Sequence, residues 1–180
     1  MAVQNLKFYF DMDNVLVNFN AGIPKYAINT NRPSKKLNDQ EHANKKKMWL
    51  EIERNHDFWR NLPAMRDANL MLITARIYGE LFILSKTPSA KNFMNGQEYV
   101  KFIADEKREW ILRNMGEFFD DKHIIICDTD KAKFMNPSWR DVLIDDRQDS
   151  VLEWSKFGGH SIHFKAPQQV SRIITSLYSR

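Results

Sequence analysis

Cysteine is almost absent from this sequence: Cys127 is the only one among 180 residues. A single thiol excludes an internal disulfide framework. Its place at the end of the apolar run Ile124-Ile125-Ile126 marks it as a buried spectator. Long apolar runs are missing too, and none approaches the ~20 residues a membrane helix needs. The start, Met1-Ala2-Val3-Gln4-Asn5, lacks the cationic flank and apolar segment of a signal peptide, so a reducing, cytoplasmic setting is expected. Glycine is scarce, and no Gly-rich loop precedes a helix, which excludes the common phosphate-cradling and dinucleotide fingerprints. No serine stands in the strand-turn-helix elbow of a hydrolase triad. Histidines offer no zinc site: His160 and His163, three apart on a strand, point to opposite faces, and His42 and His56 lack partners at useful spacing. The formal charge of +4 is small and dispersed. It suits a small anionic substrate better than a nucleic-acid groove.

What the sequence does have is acid pairs at the ends of apolar runs. Leu6-Lys7-Phe8-Tyr9-Phe10 runs into Asp11-Met12-Asp13, and Val142-Leu143-Ile144 runs into Asp145-Asp146. Each reads as a buried parallel strand delivering carboxylates to its carboxyl end. Alone, such a pair is consistent with turn chemistry, since Asp and Asn favour strand ends. Two further runs change the balance: Leu81-Phe82-Ile83-Leu84 ends in Ser85, and His123–Cys127 is followed by Asp128, Lys131 and Lys133. In a parallel sheet all carboxyl ends share one edge, so acids, hydroxyl and lysine converge there. Neighbouring carboxylates repel, and a divalent cation is the natural means of keeping both ionised.

Strands and helices alternate, the signature of a doubly wound, Rossmann-like α/β sheet. Helices are predicted at Asp67–Tyr78, Gln97–Met115, Ser150–Phe157 and Pro167–Tyr178, the third opened by a Ser150/Glu153 capping box and ended by Gly158-Gly159. Ser161–Phe164 reads as a last strand. Only residues 18–64 break the alternation, with Pro24, Pro33, a basic-polar stretch from Ser34 to Lys47 and an amphipathic helix predicted from Asp39 to Asn55. A core of residues 1–17 and 65–180 with a helical cap at 18–64 is therefore expected. In the cap, Trp49 stands at helical spacing from Ile52 and reads as part of the cap's own core, and Lys45–Lys47 as a solvated face. Phe58 and Trp59 suit either the cap core or a flat surface for a planar substrate group. Lys107 shares a helical stripe with Ile103, Trp110 and Ile111, where a lysine either pairs its charge or snorkels to solvent at the stripe's edge; pairing with the acids is expected.

These residues resemble the haloacid dehalogenase-like (HAD) superfamily of aspartate-nucleophile phosphohydrolases, over about Leu6 to Phe164. The resemblance is carried by Asp11-Met12-Asp13 with Val15-Leu16 and Phe19, by Phe58-Trp59 with Leu62-Pro63 and Met65, by Lys107 three residues before Trp110, by Lys131, and by Leu143-Ile144-Asp145-Asp146-Arg147. Within the superfamily the chain looks most like the 5'(3')-deoxyribonucleotidases of phage and bacterial type.

The resemblance implies a Mg2+-dependent phosphomonoester hydrolase that passes through an aspartyl phosphate and acts on nucleoside monophosphates, as a monomer or homodimer. It implies Asp11 as nucleophile, Asp13 as acid and base, Ser85 as phosphate donor, and Lys107 with Lys131 as phosphate-contacting lysines, Lys133 competing for the second place. It further implies Asp11, the Asp13 carbonyl, Asp145 and Asp146 around the metal, and Phe19, Phe58, Trp59 and Lys86 against the substrate. Two departures stand out. Asn14 replaces the glycine of many relatives, and Ser85-Lys86-Thr87-Pro88 replaces the usual Thr-Ser-Pro. A sugar phosphatase or a non-catalytic binding protein on the same fold are the alternatives. A receiver domain is excluded because an acid pair ends the series of strands.

Overall fold

Five parallel strands form the central sheet: β1 (Leu6–Phe10), β2 (Gly79–Lys86), β3 (Ile124–Cys127), β4 (Asp141–Asp145) and β5 (His160–His163). The order across the sheet is β3-β2-β1-β4-β5. Their side chains alternate as the pleat requires. Phe8, Phe10, Leu81, Ile83, Val142 and Ile144 enter the larger apolar core on one face. Tyr9, Leu84, Leu143 and Cys127 pack with Trp154 on the other. Helices α3 (Ala68–Tyr78), α4 (Gly96–Met115) and α6 (Pro167–Tyr178) bring their apolar stripes to the first face, and α5 (Gln148–Lys156) brings Trp154 to the second. The protein is described from a computed structural model at residues 6–27, 37–136 and 141–178. Met1–Asn5, Pro33 and the first part of the basic stretch, residues 34–36, lie outside the described residues.

The predicted elements are present with small shifts at their ends, and one cap is different. Helix α5 opens at Gln148, and Arg147 is its N-cap without a side-chain cap bond. Ser150 is therefore inside the helix and makes no capping box. The Asp145 carboxylate accepts the Arg147 amide at 2.8 Å, and Asp149 accepts the Ser150 amide at 3.1 Å. These acids turn the chain earlier than Ser150 could. The end of α5 is as expected, with Gly158 in the left-handed region at φ 92°.

The chain leaves the core after β1 and returns beside its point of exit. Val17 and Ala64 form an antiparallel bridge. The Met65 amide donates to the Leu16 carbonyl at 2.7 Å, and the Asn18 amide to the Pro63 carbonyl at 2.9 Å. Between these ends lie α1 (Phe19–Gly22) and α2 (Asp39–Arg54). Helix α2 begins with a capping box between Asn38 and Glu41. Helix α4 holds this segment by its backbone. Tyr99 Oη donates to the Ile52 carbonyl at 3.0 Å, and Trp110 Nε1 to that of Leu62 at 2.8 Å. Glu53 returns the contact by accepting the Met94 and Asn95 amides, both at 2.9 Å.

Strand β2 starts where β1 leaves no room for a side chain. A Cβ on Gly79 would lie 2.2 Å from the Leu6 carbonyl oxygen. Gly79→Ala must push the two strands apart and is expected to cost about 1–3 kcal/mol, as overpacking of this kind does. Urea denaturation of the variant checks this.

Candidate active site

The strand order reverses between β1 and β4, which are neighbours although the chain visits β2 and β3 between them. A crevice opens at such a switch point, outside the carboxyl ends of the strands. Asp11 and Asp13 follow β1 there; Asp145 ends β4 and Asp146 follows it. One carboxylate oxygen from each of Asp11, Asp145 and Asp146 lies within 4.8 Å of the others. Asp13 stands apart from that cluster, with its carboxylate turned to α4.

Two buried lysines answer this charge. Lys131, on a short 3-10 turn after β3, places Nζ 2.7 Å from Asp11 Oδ1 and 2.6 Å from Asp145 Oδ2. Lys133 is exposed and donates to Thr129 Oγ1 at 2.7 Å. Of the two competing lysines, Lys131 is the one that reaches the acids. Lys107 is completely buried on α4. Its Nζ donates to Asp13 Oδ2 at 2.6 Å, Ser85 Oγ at 3.2 Å and the Lys86 carbonyl at 3.2 Å. It also sits 5.0 Å over the Trp59 ring. The helical stripe that seemed to demand an ionic partner for Lys107 has one.

Burial dominates the protonation of this edge. It raises the Asp13 carboxyl above its ordinary range; Lys107 opposes the shift and Asp11 adds to it. Burial likewise raises Asp145, against the pull of Lys131. Asp146 is pushed up to about 7, by burial first and then by Asp11, Asp145 and Asp13. For Lys131, burial alone would lower the ammonium, but Asp11 and Asp145 together outweigh it and hold it above its usual range. One atom of this network is left over: Asp13 Oδ1 is buried and has no hydrogen-bond partner among the described residues.

Asn14 explains its own departure from glycine. It adopts φ 59°, in the left-handed region that Asn tolerates better than most residues. Its Oδ1 accepts the Asn20 amide at 3.1 Å, and its Nδ2 donates to Asp146 Oδ2 at 3.4 Å. Glycine could take the same backbone turn but could not tie the acid edge to α1.

Above the acids opens a cavity of about 850 Å³. Asp11, Asp13, Asp146 and Lys131 form its floor, and Phe19 lies in its wall. Lys86 also lines it, exposed and paired with Asp130 at 3.1 Å. Thr87 is a further lining residue, and its Oγ1 donates to the Cys127 carbonyl at 3.3 Å. Several expectations change. Phe58 and Trp59 do not line the cavity. They pack behind Phe19, with ring centroids 5.6 Å from it in both cases, because the chain returning to α4 draws them into the core. Ser85 is completely buried and does not line the cavity either; its hydroxyl is engaged by Lys107. Conversely, Trp49 packs against the core and also lines the cavity, as do Lys45 and Lys46, which a hydropathy pattern assigns to solvent. His163 and His160 diverge as expected, the first contacting the Asp146 carbonyl and the second Tyr178 Oη. Burial pushes the Cys127 thiol up, in keeping with a spectator.

No family model and no curated protein matches the sequence. Solved structures do match. The chain is similar to a haloacid dehalogenase-like family hydrolase from Streptococcus pneumoniae (TM-score 0.51, 13% identity, 94% of this chain and 90% of that one). It is similar to a HAD-superfamily hydrolase from Ehrlichia chaffeensis (TM-score 0.51, 15% identity, 97% and 98%). A HAD hydrolase from Bacillus subtilis, solved bound to magnesium, matches with a TM-score of 0.52 at 12% identity over 95% and 99%. At such identities the common feature is the fold, and the fold is HAD-like.

Removing one partner of a buried ion pair leaves the other charge uncompensated. Lys131→Met is expected to cost about 3–5 kcal/mol at pH 8. The loss should shrink at pH 5, where the stranded carboxyls can take up protons; urea denaturation at both values decides it. Asp146 has the opposite sign. Its pKa of about 7 in the fold lies above its unfolded value, so its contribution is present below that unfolded value and lost as pH rises through 7. In EDTA, Asp146→Asn is therefore expected to be more stable than the wild type, by a margin that grows from pH 5 to pH 8.

Proposed function

We propose that the chain is a Mg2+-dependent phosphomonoester hydrolase that works through an aspartyl phosphate on Asp11 and takes nucleoside monophosphates as substrates. The observation that carries this reading is the division of labour between two acids on one strand end. Asp11 is paired with Lys131 at 2.7 Å and faces the acid cluster, while Asp13 is set apart, half-buried and raised in pKa. One is placed to act as a nucleophile and the other to carry a proton.

The donor set fits a hard divalent cation. Asp11, Asp145 and Asp146 bring carboxylate oxygens within 4.8 Å of one another, and Lys131 is the only cation bridging any of them among the described residues. Burial first, and then the neighbouring Asp11, Asp145 and Asp13 carboxylates, raise the Asp146 carboxyl to about 7. These three residues, with the Asp13 carbonyl, would hold Mg2+, which when bound draws charge from the phosphoryl oxygens.

In the first half-reaction an Asp11 oxygen attacks phosphorus and the ester P–O bond breaks. Asp13 gives its proton to the departing oxygen. In the second, Asp13 takes a proton from water, whose oxygen attacks the phosphorus of the acyl phosphate, releasing inorganic phosphate and the Asp11 carboxylate. Lys107 is completely buried and does not line the cavity; Ser85 Oγ and the Lys86 carbonyl hold it at Asp13, and its charge acts on that carboxyl. Ser85 thereby acts as a positioning residue for Lys107. A dehalogenase would not need the proton donor that Asp13 supplies, which favours phosphoryl transfer. Phe19 and Trp49 offer aromatic surface to a planar base.

The test is phosphate release from a panel of nucleoside monophosphates and sugar phosphates, with and without EDTA. Asp11→Asn is expected to abolish release. Asp13→Asn is expected to slow nucleotide hydrolysis by about 10²- to 10⁴-fold, the usual worth of general acid–base catalysis. It should slow p-nitrophenyl phosphate far less, because that leaving group departs without a proton. Release confined to sugar phosphates would move the substrate class, and no Asp11-dependent release from any ester would overturn the reading.

A further inference from the structure

Two side-chain amides line the cavity, those of Asn14 and Asn92. The first is spent within the protein: its Oδ1 accepts the Asn20 amide and its Nδ2 donates to Asp146 Oδ2. The second is half-buried, and only its backbone N–H is engaged, donating to the Ser89 carbonyl at 2.9 Å. Among the described residues the Asn92 side chain has no hydrogen-bond partner, so its oxygen and its NH2 group are both free for a ligand.

The segment that carries Asn92 is held in place from two sides. Ala90–Asn92 is a 3-10 turn that packs against α2. The next residue, Phe93, is buried, with its ring centroid 4.8 Å from Tyr99 of α4 and 5.5 Å from Trp49 of α2. Glu53 fixes the residues that follow by accepting the Met94 and Asn95 amides. Asn92 therefore stands next in the chain to the ring that packs on Trp49. Trp49, Phe19 and Met48 line the same cavity and give it apolar surface. Thr87, Pro88 and Ser89 line it as well, and lead from the carboxyl end of β2 beside the acids to the turn. An anchored amide next to an aromatic wall suits a flat ring with hydrogen-bonding atoms, the wall meeting its face and the amide its edge.

We propose that Asn92 binds the edge of the substrate's nucleobase, its side-chain oxygen accepting from a base N–H and its NH2 group donating to the neighbouring ring nitrogen or carbonyl. This rests on the phosphohydrolase reading above and names the residue that selects nucleotides over other phosphomonoesters. Every common base carries such a donor beside an acceptor, so the amide selects for a base without strongly choosing one. A carboxylate at the same place offers acceptors alone. Among the common bases only guanine then fits, because its edge sets two donors, N1–H and the 2-amino group, side by side. The contact is made to the part of the substrate that does not react, and it acts as a binding term.

The experiment measures kcat/KM for the four common nucleoside 5'-monophosphates and for ribose 5-phosphate, which is the same ester without a base. Asn92→Ala is expected to lower the ratio of nucleotide to ribose 5-phosphate about tenfold, the worth of two neutral hydrogen bonds, with the loss in KM. Asn92→Asp keeps the shape of the side chain and is expected to raise the guanine nucleotide against the other three by about tenfold. A nucleotide preference that survives Asn92→Ala, or a base preference unmoved by Asn92→Asp, overturns the proposal and leaves the phosphohydrolase reading in place. If no ester is hydrolysed, calorimetric titration still decides. Asp11→Asn and Asp11→Asn/Asn92→Asp are titrated with guanosine and adenosine 5'-monophosphates in Mg2+. A guanine preference that appears only with the second substitution supports the contact; equal affinities in the two proteins, or no binding to either, remove it.

Discussion

The structure is organised around a surplus of negative charge that parallel topology makes unavoidable. Parallel strands deliver their carboxyl ends to one edge, so acids following β1 and β4 arrive within a few ångströms of one another. In a buried setting the repulsion between them is much stronger than in water. Lys131 and Lys107 answer it from opposite directions, one from the turn after β3 and one from the middle of α4. Each must lie buried to do so, and a buried lysine is tolerable only where its partners are secured. Asp11 with Asp145 secures Lys131, and Asp13 with Ser85 and the Lys86 carbonyl secures Lys107.

That requirement propagates outward. Trp59 is driven into the core, where its ring lies beneath the Lys107 ammonium. The segment carrying it is held by side chains of α4 that donate to backbone carbonyls, which makes the attachment insensitive to the identity of the residues it grips. Asn14 ties the same segment to Asp146 from the other side. The C-terminal end of α2 is therefore held against α4 and the residues before it, and α1 is tied to the acid edge through Asn14.

Much of this was legible in the residues themselves. The acid pairs could be placed because a short continuous apolar run ending in carboxylates is the local pattern of a strand buried on both faces, and its repetition outweighs the turn reading that one pair alone allows. Lys107 was legible because its spacing from Ile103, Trp110 and Ile111 put a charge on an apolar stripe. The start of α5 was misread because Ser150 and Glu153 match a capping pattern, while the groups that close the turn, Asp145 and Asp149, act through a strand end and an ion pair. Ser85 was assigned to the phosphate, yet a hydroxyl at a strand end can serve whichever charge packs against it, and here that charge is Lys107.

The chain by itself determined the strands, their carboxyl-terminal acids and the helices between them, because those depend on the periodicity of neighbouring residues. The tertiary structure alone decided which of Lys131 and Lys133 meets the acids, that Phe58 and Trp59 are core while Trp49 faces a cavity, and that Lys45 and Lys46 do not simply face solvent. The physical reason is common to all three. A cavity wall and a solvated surface are both polar, and a cavity-facing aromatic sits at the edge of the same stripe as a buried one. Hydropathy along a helix therefore separates inside from outside, but only packing in three dimensions separates one outside from another.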